Sequence, residues 1–163
     1  MNIAITGHTS GLGKSLYDSL NNTIGFSRSN GYDIEYNIDD IVADCSGIDI
    51  FINNAYNSFD QVELLYALFD KYPNMQIINI SSNSSDGIKN KIHKYAINKA
   101  ALDKASEQFF ALGYNTTNLK FGWIDTPRVT HKNVDKLSTE YVVGVINWVI
   151  NQKHRIKELN ISP

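Results

Sequence analysis

Apolar residues in this chain fall into short unbroken runs and into helical stripes, and the two alternate. Ile3-Ala4-Ile5-Thr6 opens as a strand and breaks at a turn containing Gly7, Gly11 and Gly13. It then gives way to a helix whose leucines recur at Leu12, Leu16 and Leu20. Asn21-Asn22 mark a turn, and Thr23 to Phe26 reads as a second strand. The alternation of Asp33-Ile34-Glu35-Tyr36-Asn37-Ile38 predicts a short third strand, followed by a brief helix from Asp39 to Cys45. Ile48 to Ile52 predicts a fourth strand, apolar enough to be buried on both faces.

Ser58 or Asp60 is placed to cap a helix reaching Lys71, with Pro73 as its stop. A fifth strand is expected over Gln76 to Ile80, running into Ser81-Ser82, and then a polar loop to about Ile92. A long helix is expected from His93 to Leu112, ended by Gly113, and a sixth strand from Thr116 to Phe121. Ser138 should cap a well-buried helix through Gln152, before a last strand from Lys157 to Ile161. Strands alternating with helices predict an α/β fold of the doubly wound, Rossmann-like kind: a parallel sheet of about seven strands with helices on both faces. The 163 residues are expected to form one domain.

Composition narrows the function. The 42% hydrophobic and 20% charged content is that of an ordinary soluble globular chain. The formal net charge is -2 and there is no basic run, so nucleic acid is not an expected partner. No apolar run approaches membrane-spanning length, and nothing at the N-terminus reads as a signal peptide, so a cytoplasmic location is expected. The single cysteine, Cys45, excludes an internal disulfide. No cluster of His, Cys and carboxylates has metal-ligand spacing, so no metal is expected.

The first turn carries the clearest chemical signal. A strand that runs through glycines into a helix N-terminus suits a phosphate: the turn is tight, backbone approaches the ligand closely, and free helix N–H groups attract negative charge. The spacing is T-G-x-x-x-G-x-G. In a dinucleotide fold the residue about 20 positions after the first glycine meets the adenosine ribose, where an acid selects NAD and an arginine accommodates the extra phosphate of NADP. Arg28 occupies that place, between Ser27 and Ser29, with no acid nearby. The expected cofactor is therefore NADP(H), with NAD(H) as the alternative.

Tyr95 and Lys99 lie four apart in the long predicted helix and so share a face. The pair follows a serine-ended strand, with Ser82 thirteen positions before Tyr95. Together with Thr6-Gly7-His8-Thr9-Ser10-Gly11-Leu12-Gly13, Asn53-Asn54-Ala55, Asn79-Ile80-Ser81-Ser82 and Gly122-Trp123-Ile124-Asp125-Thr126, the chain resembles the short-chain dehydrogenase/reductase family, as an unusually short member.

The resemblance implies an oxidoreductase that interconverts a small-molecule carbonyl and an alcohol. Tyr95 would be the general acid/base, Lys99 would favour the phenolate and bind the nicotinamide ribose, and Ser82 would donate to the substrate oxygen. It also implies cofactor contacts at Gly7, Ser10, Gly11, Leu12, Gly13, Asn54, Ala55, Gly122 and Ile124. Asn37 would lie near the adenine, and Thr126 near the carboxamide. Family members usually add a catalytic asparagine, a longer substrate lid and a dimer-forming helix. Here Asn57 and Gln61 are the amides nearest the asparagine's place, and only about Pro127 to Leu137 is left for a lid. Phe121 replaces a proline. A homo-oligomer is possible. A second reading is a non-catalytic NADP(H)-binding sensor of the same fold.

Overall fold

The computed structural model describes residues 1–87 and 90–163. Strand β1 (Ile3–Thr6) leads into helix α1 (Gly11–Ser19), followed by β2 (Thr23–Phe26) and α2 (Ile38–Ala43). Then come β3 (Ile50–Asn53), α3 (Asp60–Lys71), β4 (Gln76–Ser82) and α4 (Lys94–Ala111). Strand β5 (Thr116–Phe121), α5 (Thr139–Ile150) and β6 (Glu158–Ile161) complete the order. The sheet has 6 strands in the order β2-β1-β3-β4-β5-β6, and every pairing is parallel. The chain runs outward from β1 to β2 and then back to β3. The crevice over the ends of β1 and β3 is therefore the switch point where such sheets bind ligands.

Each face of the sheet buries its own apolar cluster. Phe51 and Ile77 meet Leu64, Leu65, Leu68 and Phe69 of α3 and Leu102 and Phe109 of α4. Ile5, Ile52, Ile78 and Leu119 meet Leu16 of α1 and Val142 and Ile146 of α5. Burying such side chains contributes about 1.5–3 kcal/mol each, and this clamps the helices onto the strands. A polar row crosses the first face. Asn53, Asn79 and Asn118 stand opposite one another in register. Asn53 Nδ2 donates to Asn79 Oδ1 at 3.0 Å, and Asn79 Nδ2 donates to Thr116 Oγ1 at 3.2 Å. Among the described residues no helix is long and apolar enough to cross a membrane.

Three expectations are corrected. Asp33 to Ile38 is not a strand, so the sheet has one strand fewer than expected. Asp33 Oδ1 accepts from the Glu35 amide at 3.0 Å, and Asn37 Oδ1 accepts from the Asp33 amide at 3.2 Å. These bonds fold the segment into turns that run into α2. Its apparent alternation is a turn that buries Ile34 and leaves Tyr36 77% exposed. Helix α3 is capped by neither Ser58 nor Asp60: Phe59 is its N-cap residue and Asp60 is already helical. Helix α5 is capped by Ser138, whose Oγ accepts from the Tyr141 amide at 3.1 Å. That helix is buried on one side only, leaving Tyr141 and Trp148 in solvent. Part of the polar loop predicted after Ser82, namely Ile88 and Lys89, lies outside the described residues.

Candidate functional site

The ends of β1 and β3 are stitched together by one threonine. Thr6 Oγ1 accepts from the Asn54 and Ala55 amides, each at 2.9 Å, and Asn54 Nδ2 returns a bond to the Thr6 carbonyl at 2.9 Å. Gly7 has φ +74° and Gly11 φ +53°, a left-handed backbone that suits glycine. A methyl on Gly13 would stand 2.2 Å from the Gly7 carbonyl oxygen and 2.7 Å from Asn54 Nδ2. Gly13 therefore lies behind the turn and lets α1 dock on it. Ser10, the N-cap residue of α1, makes no side-chain cap bond, and no acid lies in the first turn. The leading amides of α1 are left for an anion.

Over this turn lies a cleft of about 530 Å³. Gly7, Ser10, Gly11, Leu12, Asn54, Ala55 and Thr126 line its centre, and Ser27, Arg28 and Ser29 line one end. Among the described residues the Arg28 side chain, 84% exposed, has one ion-pair contact, at 3.8 Å with Asp33. Asp33 and Glu35 line the same cleft, so the expectation of no acid near Arg28 is corrected. At the other end stand Tyr56, Asn57 and Arg128. Arg128 follows Thr126 in a short 3-10 turn, Pro127–Val129. A glycine cradle that a Cβ would fill, an uncapped helix N-terminus and an arginine flanked by two serines suit a dinucleotide carrying a 2′-phosphate.

Six expected contact residues lie away from the cleft lining: Gly13 behind the turn, Tyr95 and Lys99 in a cluster behind Tyr56, and Asn37, Gly122 and Ile124. Asn37 is turned into its own segment, donating to Asp40 Oδ2 at 3.2 Å. The Gly122 amide bonds the Ile161 carbonyl at 2.9 Å. Ile124 forms a bridge with Leu137.

Ser82, Tyr95 and Lys99 come together beside the Tyr56 end. Lys99 is 3% exposed. Its Nζ donates to Gln61 Oε1 at 2.8 Å and to the Ile80 carbonyl at 2.7 Å. Gln61 is itself fixed, its Nε2 donating to the Asn53 carbonyl at 2.5 Å and the Ile80 carbonyl at 3.2 Å. The Lys99 ammonium also lies 5.2 Å from the Tyr56 ring centre and 5.6 Å from that of Tyr95. The two rings meet edge to face with centres 4.8 Å apart, and Asn98 Nδ2 donates to the Tyr56 hydroxyl at 3.0 Å.

This packing sets the charges. Burial pulls the Lys99 ammonium down to about 7, with Asp103, one turn further along α4, opposing the fall. The Tyr95 phenol is raised, first by burial. The Ser82 hydroxyl beside it and the Arg128 charge act the other way, while Tyr56 and Asp103 add to the rise.

The sequence singled out Ser82, Tyr95 and Lys99, and the fold brings them into one cluster. It did not single out Tyr56 or Arg128, and it left Gln61 undecided between two candidates. Gln61 alone has a readable signal, as a polar residue on the inward face of α3, whose neighbours at that spacing are leucines and Phe69.

No known family's sequence profile matches the chain, and no curated protein is similar to it in sequence. Solved structures do match. A short-chain dehydrogenase from Burkholderia cenocepacia J2315, solved in complex with NADP, superposes with a TM-score of 0.83 at 16% identity, over 98% of this chain and 87% of that one. The 3-alpha-hydroxysteroid dehydrogenase of Pseudomonas sp. B-0831, complexed with NADH, gives 0.76 at 16% identity over 99% and 95%. Serine dehydrogenase from Escherichia coli gives 0.71 at 17% over 99% and 97%. The fold of this chain is that of the short-chain dehydrogenases/reductases.

Proposed function

We propose that this protein is an NADP(H)-dependent oxidoreductase that interconverts a carbonyl and an alcohol. The observation that carries the reading is the convergence of Ser82, Tyr95 and Lys99 behind Tyr56, which lines the same cleft as the glycine turn and Arg28. Gly7, Ser10, Gly11 and Leu12 would hold the pyrophosphate against the α1 amides. Arg28, Ser27 and Ser29 would hold the 2′-phosphate, and Thr126 the carboxamide end. When bound, the nicotinamide supplies or accepts the hydride.

The chain's own residues would handle the proton. Because the Tyr95 phenol is raised above its ordinary value, it is protonated at neutral pH. That is the form that gives a proton to a carbonyl oxygen, so at pH 7 the phenol is in the state to act as the general acid. Ser82 would donate to the same oxygen and stabilise charge that grows there. Lys99, anchored by Gln61 and Ile80 and drawn down to about 7 by burial, would favour the phenolate in its charged form once the proton has left. For Lys99 to reach a ribose, the Tyr56 ring must swing out, because it covers the ammonium from the cleft side. Incubating the protein with NADPH and a panel of aldehydes and ketones tests the reading. Loss of the reduced cofactor with matching alcohol is expected, and no consumption on any substrate contradicts it.

The same Tyr56 packing favours a second reading, a nucleotide sensor without turnover. A lysine this buried, with two acceptors and two aromatic faces around it, needs no ligand to be stable. Tight NADPH binding without consumption on the panel separates the two.

A further inference from the structure

Behind the acid/base cluster lies a second charged group that the proposed chemistry does not use. Lys120 of β5 has a side chain only 6% exposed, and three carboxylates converge on it. Asp86 accepts a hydrogen bond from Lys120 Nζ. Asp103 Oδ2 stands at 3.4 Å and Glu158 Oε1 at 4.0 Å. Neutral partners complete the group. Ser81 Oγ donates to Asp103 Oδ1 at 2.5 Å, Asn118 Nδ2 donates to the same oxygen at 2.9 Å, and Asn160 Nδ2 donates to Asp86 Oδ2 at 3.0 Å.

These residues belong to the elements that carry the candidate chemistry. Ser81 precedes Ser82 on β4 and stands opposite Lys120 in the register. Asp86 ends the 3-10 turn Asn83–Asp86 that follows Ser82 directly. Within that turn Ser82 Oγ accepts from the Ser84 amide at 3.2 Å, and Ser85 Oγ donates to the Ser82 carbonyl at 2.8 Å. Asp103 lies at the same helical spacing as Tyr95 and Lys99, on the shared face of α4. One buried cation thus ties the strand end and turn around Ser82 to the helix that carries Tyr95.

We propose that Lys120 is a positioning residue, the hub of a frame in which Asp86 and Asp103 hold the Ser82 turn against the Tyr95 face of α4. The proposal rests on the reading of Ser82 and Tyr95 as partners. Burial alone opposes the Lys120 charge, but its hydrogen bond to Asp86, with Asp103 and Glu158, outweighs it and holds the ammonium raised. The cation therefore stays charged through neutral pH, and the frame does not loosen there. A buried ion group of this kind contributes little net stability, since desolvation offsets attraction, and a role in fixing geometry accounts for it better.

Removing Lys120 would leave three carboxylates facing one another and cost the fold as well. The decisive variant is therefore Asp86→Asn, because the Asp86 side chain is 49% exposed. The readout is the Tyr95 phenol, titrated by NMR of ring-labelled tyrosine in the full chain and assigned with Tyr95→Phe. The groups around that phenol are Ser82 from β4, Tyr56 from the β3–α3 loop, Arg128 from the loop after β5, His93 at the N-cap of its own helix, and Lys99 and Asp103 within that helix.

If the frame holds Ser82 in place, loosening the turn removes the hydroxyl that lowers the phenol, so Asp86→Asn raises its pKa by about half a unit or more. Loss of a nearby negative charge by itself has the opposite sign, so an unchanged or lowered value overturns the proposal. Glu158→Gln changes the charge at Lys120 without touching the Ser82 turn and leaves the phenol where it was. A shift equal to that of Asp86→Asn also overturns the proposal. Lys120→Arg keeps the wild-type value, and a rise there as large as in Asp86→Asn counts against the frame. None of these titrations needs turnover. A wild-type protein that binds NADPH without consuming it ends the oxidoreductase reading, while the frame stands or falls on the phenol alone.

Discussion

Lys99 Nζ donates to Gln61 Oε1 at 2.8 Å, a direct bond between the lysine of α4 and a glutamine of α3 buried beneath the sheet end. Because Gln61 also reaches the carbonyls of Asn53 and Ile80, it fixes the lysine to both central strands. Gln61→Leu removes one of the two acceptors of a buried ammonium and leaves the Asn53 carbonyl without its Gln61 partner. The expected cost is about 1–3 kcal/mol of stability by urea denaturation. Turnover should fall on the order of tenfold as the ammonium loses its fixed position. Gln61→Glu, with a carboxylate in the same place, should lift the Lys99 amine well above 7.

The buried lysine makes its own contribution to stability against pH. Its folded-state value near 7 lies below the ordinary 10.5, so between those limits the unfolded chain binds more protons than the folded one. Stability from this group therefore rises with pH from about 7 towards 10.5, by at most ~1.4 kcal/mol per pH unit, and the gain is absent below 7. Comparing denaturation of the wild type and Lys99→Met at several pH values isolates the slope. Parallel curves for the two proteins would show that Lys99 does not titrate in this range.

Tyr56 covers both members of the acid/base pair. Tyr56→Ala opens the ring position between Tyr95 and Lys99 to water, which relieves the burial of both. The Lys99 amine should rise from about 7 and the Tyr95 phenol should fall towards its ordinary value. NMR titration of labelled lysine and tyrosine reads both changes. NADPH should bind no more weakly, because no bond to the glycine turn is lost. A weaker complex would make Tyr56 a cofactor contact and not a cover.

Arg28 stands at the end of the cleft opposite Tyr56, loosely held by Asp33. Arg28→Asp should weaken NADPH binding by roughly tenfold to a hundredfold, the worth of one or two charge-assisted bonds, with far less effect on NADH. Fluorescence titration of both cofactors checks this. Equal losses would place Arg28 away from the 2′-phosphate.

The fold was legible wherever the signal is local. Strand β1, its glycine turn and the leucines of α1 follow from neighbouring residues, as do the span of α4 and the Ser138 cap. The segment from Asp33 to Ile38 misled because its alternation of polar and apolar residues suits a strand, while in the turn it forms only Ile34 is buried and Tyr36 stands in solvent. Asp33 and Asn37 bond their own backbone there and choose the turn. In the site, Ser82, Tyr95 and Lys99 were singled out through the family resemblance that their spacing along β4 and α4 carries. Tyr56 and Lys120 were not, because each reaches its partner across the sheet or between helices, and Gln61 showed only as a polar residue on an apolar helix face, with its partner unreadable. Such contacts are fixed by strand register and helix docking, which no local pattern encodes.

Comparing the wild type with Tyr95→Phe at pH 7, on one carbonyl substrate that the wild type reduces and with NADPH affinity measured in parallel, tests the central claim most directly. The phenyl ring keeps the packing against Tyr56 and removes only the hydroxyl. The account predicts a loss of kcat of about 10²–10⁴-fold with cofactor affinity unchanged. Equal turnover by the two proteins would contradict it.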